Sequence, residues 1–211
     1  MHSIGNFMSL EDLDVCLEKL TWHKSPGKNN VSSNAVKVLE LDLRIKLLTF
    51  LNEWLMNEDV TYLEWLIASL KVLPKKGDLK NPNNWRGIIL LDINSKIISI
   101  FINIKLQKLL KTRGIAHQFG ATPKLGCQDA VFVLKTFLQE RREKLLDTWV
   151  VFIDLVKAYD SIQHKVVDEM LHIFGVPEIV RTWIKKLCSD SMVELKVGKF
   201  KHHIPYGCGV K

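Results

Sequence analysis

Asp154 closes the apolar run Trp149-Val150-Val151-Phe152-Ile153 and opens the stretch Leu155-Val156-Lys157-Ala158-Tyr159-Asp160. A carboxylate at the end of such a run must be neutralised, hydrogen-bonded or bound to a cation. Magnesium takes oxygen ligands and often bridges one or two carboxylates to substrate phosphates, so it suits this position. The turn that follows can offer backbone groups to a triphosphate. The same carboxylate can also cap a helix or close a strand-end turn, and residue types alone leave these readings open. Asp160 precedes Gln163 by three residues, the pattern of a capping box, so its expected role is helix capping.

A second chemical feature is a basic loop. Lys75, Lys76 and Arg86 flank the polar stretch Gly77-Asp78-Leu79-Lys80-Asn81-Pro82-Asn83-Asn84-Trp85. Ammonium groups pair with phosphates as point charges, and a guanidinium can clamp them through two hydrogen bonds. Charge count alone favours a solvated loop. Cys16, Cys127, Cys188 and Cys208 show no Cys-x-x-Cys spacing and are expected to be free thiols. His202, His203 and Cys208 lack a fourth ligand and are rejected as a metal site.

The elements that must position these groups read as mixed α and β. Leu13, Leu17 and Leu20 mark a helix over residues 10–20, and residues 33–56 read as one or two more. Between them lies Lys24-Ser25-Pro26-Gly27-Lys28-Asn29-Asn30, which is turn chemistry. Strands are expected at 67–74 and 87–92, forming a hairpin whose long basic tip buries little and moves easily. A helix over 94–111 follows, with Ile97, Phe101 and Ile104 inward and Lys96, Lys105 and Lys111 outside. Helices are also expected at 126–145, with Ala130, Leu134, Phe137 and Leu138 as the stripe, and at 164–174 and 177–188. Trp149–Asp154 reads as a central buried strand. Residues 192–197 and 200–204 read as a hairpin turning at Gly198-Lys199.

The 211 residues are enough to bury a sizeable core, and 47% hydrophobic with 25% charged residues excludes general disorder. The net charge of +7 suits a polyanionic partner without requiring one. Asp92, Asn94, Ser95 and Lys96 interrupt the most apolar segment, and no apolar signal region follows Met1. The expectation is an intracellular protein, nuclear or cytoplasmic, with no membrane partner.

Taken in order, these features resemble the reverse transcriptases of non-LTR retrotransposons and their group II intron relatives. Lys24-Ser25-Pro26-Gly27 resembles that family's early loop. Leu73-Pro74-Lys75-Lys76-Gly77-Asp78 with Asn84-Trp85-Arg86-Gly87-Ile88 resembles its fingers hairpin. Gln118-Phe119-Gly120 resembles the next motif, Phe152–Asp160 the first palm motif, and Gly207-Cys208-Gly209-Val210-Lys211 the opening of a Gln-Gly-Asp motif. The resemblance implies an α+β fold: right-hand polymerase fingers and partial palm, helix-rich with a small antiparallel sheet. It divides the chain into a helical lead-in (1–23), a fingers-like region (24–148) and a partial palm (149–211).

The resemblance also implies roles. Asp154 would be the catalytic ligand of Mg2+, with the Leu155 carbonyl as a further ligand. Lys75, Lys76 and Arg86 would grip a deoxynucleoside triphosphate, and Val156, Lys157, Ala158 and Tyr159 would line its pocket. Tyr159 would exclude a 2′-hydroxyl. Lys24, Ser25, Pro26, Gly27, Gln118 and Lys124 would contact the RNA template, with a DNA primer as the other partner. Three departures stand out. Gly87 replaces a proline, which loosens the strand start. Ala121-Thr122-Pro123-Lys124 replaces Phe-Arg-Pro-Gly. Asn29-Asn30 stands where Asp-Gly is usual. The family's paired aspartates and thumb lie beyond Lys211, so the chain is expected to be inactive alone. The alternatives are a non-catalytic module binding RNA or an RNA–DNA hybrid, and a transposon remnant.

Overall fold

The computed structural model describes residues 5–57, 67–113, 117–155, 158–188, 192–205 and 207–209. The chain divides into two compact units, Met1–Gln107 with Lys157–Lys211, and Lys108–Val156.

In the first unit, Ser9 and Asp12 form a reciprocal capping box at the start of α1 (Leu10–Lys19). Leu13, Cys16 and Leu17 on one stripe of α1 are buried. Burial, reinforced by Asp12, pushes the Cys16 thiol up to about 12, so it is an inert core group. The Lys37 ammonium, on α2 (Ser33–Lys37), donates to the carbonyls of Leu17, Glu18 and Leu20 and so closes the C-terminus of α1. Residues 33–56 are therefore two helices, the second being α3 (Leu41–Met56).

Four strands form one sheet in the order β2-β1-β3-β4: β1 (Ile67–Pro74), β2 (Trp85–Leu90), β3 (Met192–Val197) and β4 (Phe200–Pro205). Both expected hairpins form, β1 with β2 and β3 with β4. The expectation of an antiparallel sheet is corrected at their junction, where β1 and β3 run parallel from Ile67↔Met192 to Leu70↔Leu195. Both strands start at the buried end of the sheet, where Ala68 pairs with Val193, and run outward together. Gly87 does not loosen the start of β2, which begins two residues earlier and continues through it.

α4 (Ile93–Arg113) buries Ile97, Ile98, Phe101 and Ile102. Lys105 was expected outside but is buried on this same face, one turn beyond Phe101, with its ammonium 4.6 Å from the Phe101 ring centroid. A long aliphatic stem and a cation–π contact allow this. After α6 (Ala158–Ser161) and α7 (His164–Ile173), α8 (Glu178–Cys188) buries Val180, Trp183 and Lys186. Trp183 Nε1 donates to the Leu55 carbonyl at 3.0 Å, and Lys186 donates to those of Trp54 and Asn57. Thus α8 supplies the donors that the last turn of α3 lacks. Asp168 joins α7 to α8 through Arg181 Nε and Lys185 Nζ, at 2.8 and 2.9 Å. The Arg181 hydrogen bond, then that of Lys185, holds its carboxyl below the usual range.

In the second unit, α5 (Cys127–Glu143) leaves Ala130, Leu134 and Leu138 half-buried, as the stripe predicts, whereas Phe137 is exposed. Trp149–Asp154 is neither a strand nor buried: Trp149 is 94% and Phe152 83% exposed. Apolar content makes a strand only where a neighbour completes its hydrogen bonds and covers its faces. The four described strands pair only with one another. Its restraint comes from Arg141, which donates to Thr148 Oγ1 at 3.1 Å and the Asp147 carbonyl at 2.8 Å.

Candidate nucleotide and template interface

The Lys24–Gly27 loop is clamped onto the junction between β2 and α4. Asp92 is 2% exposed, and its Oδ1 accepts the Asn29 N–H at 3.2 Å. Lys96 Nζ donates to the Ser25 carbonyl at 3.4 Å. Gly27 is buried, and a Cβ there would overlap Asp92 Oδ1 and come within 2.6 Å of the Leu91 carbonyl oxygen. Lys24 and Ser25 remain exposed. Lys24, Lys19 and Lys96 line an open cleft of about 320 Å³ with Leu20, Leu91 and Ile100. Sequence reasoning missed Asp92, although an acid ending a strand directly before a helix was the available signal.

Burial raises the Asp92 pKa above 3.8, more than the Asn29 and Lys28 N–H groups and the Lys28 and Lys96 charges lower it. The folded protein therefore holds the Asp92 proton more tightly than the unfolded chain. That contribution to stability is complete below pH 3.8 and is lost as pH rises through the folded value. Asp92→Asn keeps the acceptor oxygen without the charge. Urea unfolding is expected to find it equal to wild type below pH 3.8 and more stable at pH 7. A variant less stable at pH 7 would contradict this.

The hairpin tip is not the loose loop its composition suggested. Lys75 N–H donates to the Asn84 carbonyl at 2.7 Å, and Asn84 Nδ2 donates to the Asp78 carbonyl at 2.8 Å. Trp85 Nε1 donates to the Leu79 carbonyl at 2.9 Å. Gly77 takes a φ of +114°, where a Cβ would press on Asn84 Nδ2. This frame holds Lys76 and Arg86 exposed, and no carboxylate among the described residues pairs with either. Lys75 is partly engaged, its ammonium donating to the Asn83 carbonyl at 3.2 Å.

Tyr159 is 73% exposed on α6, and Ala158 beside it is half-buried; Val156 and Lys157 lie outside the described residues. Asp160 lies within α6, and the N-cap of α7 is Gln163, so the expected capping box is corrected. The chain makes one separate helical turn before α7 begins. The Gly207–Gly209 segment docks here: Gly209 N–H donates to the Ile162 carbonyl at 2.7 Å, and His164 Nε2 donates to the Gly209 carbonyl at 2.8 Å. Gly209 is buried with φ +89°, a conformation glycine adopts without strain.

Gln118 and Lys124 lie in the second unit. The Gln118 amide donates to the Gly120 carbonyl at 3.0 Å, within its own loop. Lys124 is exposed with φ +68°. It stands where the resembled motif has glycine, and a left-handed conformation costs a non-glycine residue about 1–2 kcal/mol. Lys124→Gly is expected to raise stability by about 1 kcal/mol after the greater unfolded freedom of glycine is subtracted. A thermal melt that falls instead would contradict the strain.

Asp154 and Leu155 are exposed on the irregular segment of the second unit. Among the described residues no three His, Cys, Asp or Glu side chains gather as a metal site. One carboxylate and a carbonyl do not fit magnesium, which gives up its waters reluctantly. No metal-dependent step is assigned to this arrangement. Among the described residues no helix is long and apolar enough to cross a membrane.

Residues 73–210 match the family described as reverse transcriptase (RNA-dependent DNA polymerase). The chain is 28% identical over 134 residues, 64% of its length, to the retrovirus-related Pol polyprotein from type-1 retrotransposable element R2 of Popillia japonica, covering 19% of that protein. It is 24% identical over 205 residues, 97% of its length, to the transposon TX1 uncharacterized 149 kDa protein of Xenopus laevis, covering 16%. It is 18% identical over 178 residues, 84% of its length, to the Pol polyprotein of the type-2 element R2DM of Drosophila melanogaster, again covering 16%. The chain thus spans less than a fifth of each of these relatives. Its motifs, in their order along the chain, and this match over 73–210 make the chain a member of the reverse transcriptase family, of the non-LTR retrotransposon kind.

Proposed function

We propose that this chain is the nucleotide- and template-binding region of an RNA-templated DNA polymerase, with residues 24–148 as its fingers and 149–211 as the start of its palm. The carrying observation is the hydrogen-bonded hairpin tip, which holds Lys76 and Arg86 exposed and free of carboxylates among the described residues. Arg86, with Lys75 and Lys76, grips the triphosphate of an incoming deoxynucleotide, and Tyr159 meets its sugar face. Ala158 lines the same pocket, and the family resemblance extends that role to Val156 and Lys157. Lys24 and Ser25, with Gln118 and Lys124, contact the RNA template, while Pro26 and Gly27 set the loop. Asp154 and the Leu155 carbonyl contribute to a Mg2+ site only together with further carboxylates.

The test is equilibrium binding of a deoxynucleoside triphosphate. Arg86→Ala is expected to weaken it about tenfold or more, as losing a charge-assisted contact does, with the melting temperature unchanged because Arg86 is exposed. Unchanged affinity in both Arg86→Ala and Lys75→Gln/Lys76→Gln would overturn the assignment. RNA binding without nucleotide binding would favour a non-catalytic RNA-binding module.

A further inference from the structure

The sheet carries a charge pattern that the hairpin motif does not account for. Paired residues share a face and successive residues alternate. Lys71 pairs with Ile88, and Lys196 pairs with Lys201. Lys71 and Lys196 each lie one residue past the last parallel pair, Leu70↔Leu195. The three lysines therefore stand in one transverse row across β1, β3 and β4, on one face, with neighbouring strands about 4.8 Å apart. All three are exposed.

A structural role explains this row poorly. Like charges directly opposite on antiparallel strands destabilise a sheet, and Lys196↔Lys201 is such a pair. Among the described residues no carboxylate pairs with Lys71 or Lys196. The one acid among the described residues on this face near the row, Glu194, is already shared by Lys28, Lys201 and His203, at 3.6, 3.9 and 3.2 Å. No further acid among the described residues offsets the charge of Lys71 and Lys196, which leaves the row open to an anionic partner. A row about 10 Å long suits successive phosphates of one strand better than a single small anion.

We propose that Lys71, Lys196 and Lys201 form a track for the phosphodiester backbone of the single-stranded RNA being copied. This rests on the polymerase reading but uses none of the residues that reading assigns.

The test is fluorescence anisotropy of the full chain with a single-stranded RNA oligonucleotide across a salt series. Each neutralised phosphate contributes about −0.7 to the slope of log K against log salt. Lys71→Gln/Lys196→Gln is expected to make that slope shallower by about 1.4, with a melting temperature equal to or above wild type because repulsion is relieved. Lys46→Gln/Lys165→Gln removes equal charge from exposed helix positions and should leave the slope unchanged. Single-stranded DNA should lose as much as RNA, since the contacts are to phosphate.

Equal slopes in the two double variants, or a loss confined to DNA, would overturn the track while nucleotide binding through Arg86 stood. A wild-type chain that binds no RNA would overturn the track and the template part of the polymerase reading together.

Discussion

Gly27→Ala is expected to destabilise the first unit by about 3 kcal/mol, at the upper end for forcing a methyl group into a packed site. The obstacles around Gly27 are the Leu91 carbonyl, the Asp92 backbone and a carboxylate already held by the Asn29 N–H. None is the free end of a flexible side chain, so the loop itself must lift. Lifting it strips Asp92 of the Asn29 hydrogen bond inside a buried setting, where unsatisfied polar groups are costly. The cleft lined by Lys19, Lys24 and Lys96 would be distorted as well. Denaturant unfolding should show the loss, and RNA affinity should fall with it. A variant within about 0.5 kcal/mol of wild type, the range of an ordinary surface substitution, would mean the clamp is absent in solution.

Trp183→Ala is expected to cost about 3–5 kcal/mol, the range for removing a large buried aromatic. Trp183 is 1% exposed and lies between Phe7 and Phe101, with ring centroids 5.9 and 6.0 Å away. Its indole N–H also satisfies the Leu55 carbonyl near the end of α3. Trp183→Phe should cost less, because it keeps much of the packing and loses the hydrogen bond. Calorimetric melting of the two variants separates the contributions. If both lost the same amount, the hydrogen bond rather than the packing would dominate.

The elements legible in the sequence were those specified locally. α1 carried its own capping box and leucine stripe, and both hairpins carried their turns. The β1–β3 pairing joins residues more than a hundred positions apart, and periodicity says nothing about such partners. Lys105 and Lys186 were unreadable for another reason. Lys186 is buried against the Trp54 ring and helix-end carbonyls that only the fold brings near, whereas Lys105 lies over Phe101 on its own helix and its burial depends on what packs against that helix face. Trp149–Asp154 failed in the opposite sense: its composition is that of a strand, but strand formation needs an adjacent ladder.

Of the residues expected to bind nucleotide, Lys76, Arg86 and Tyr159 were picked out by motif order, and all three are exposed. Asp92 and the lysine row were missed because neither forms a motif along the chain. Asp92 acts on a loop more than sixty residues away, and the row exists only across strands.

In the proposed function the basic hairpin tip and the α6 turn receive an incoming deoxynucleotide. Photocrosslinking a reactive deoxynucleoside triphosphate to the chain with an RNA template and DNA primer, then mapping the labelled peptides by mass spectrometry, tests it most directly. Labels are expected within Lys75–Arg86 and at Ala158–Tyr159, reduced by unlabelled deoxynucleotide more than by ribonucleotide. Labels confined to other surfaces, or equally reduced by either nucleotide, would contradict it.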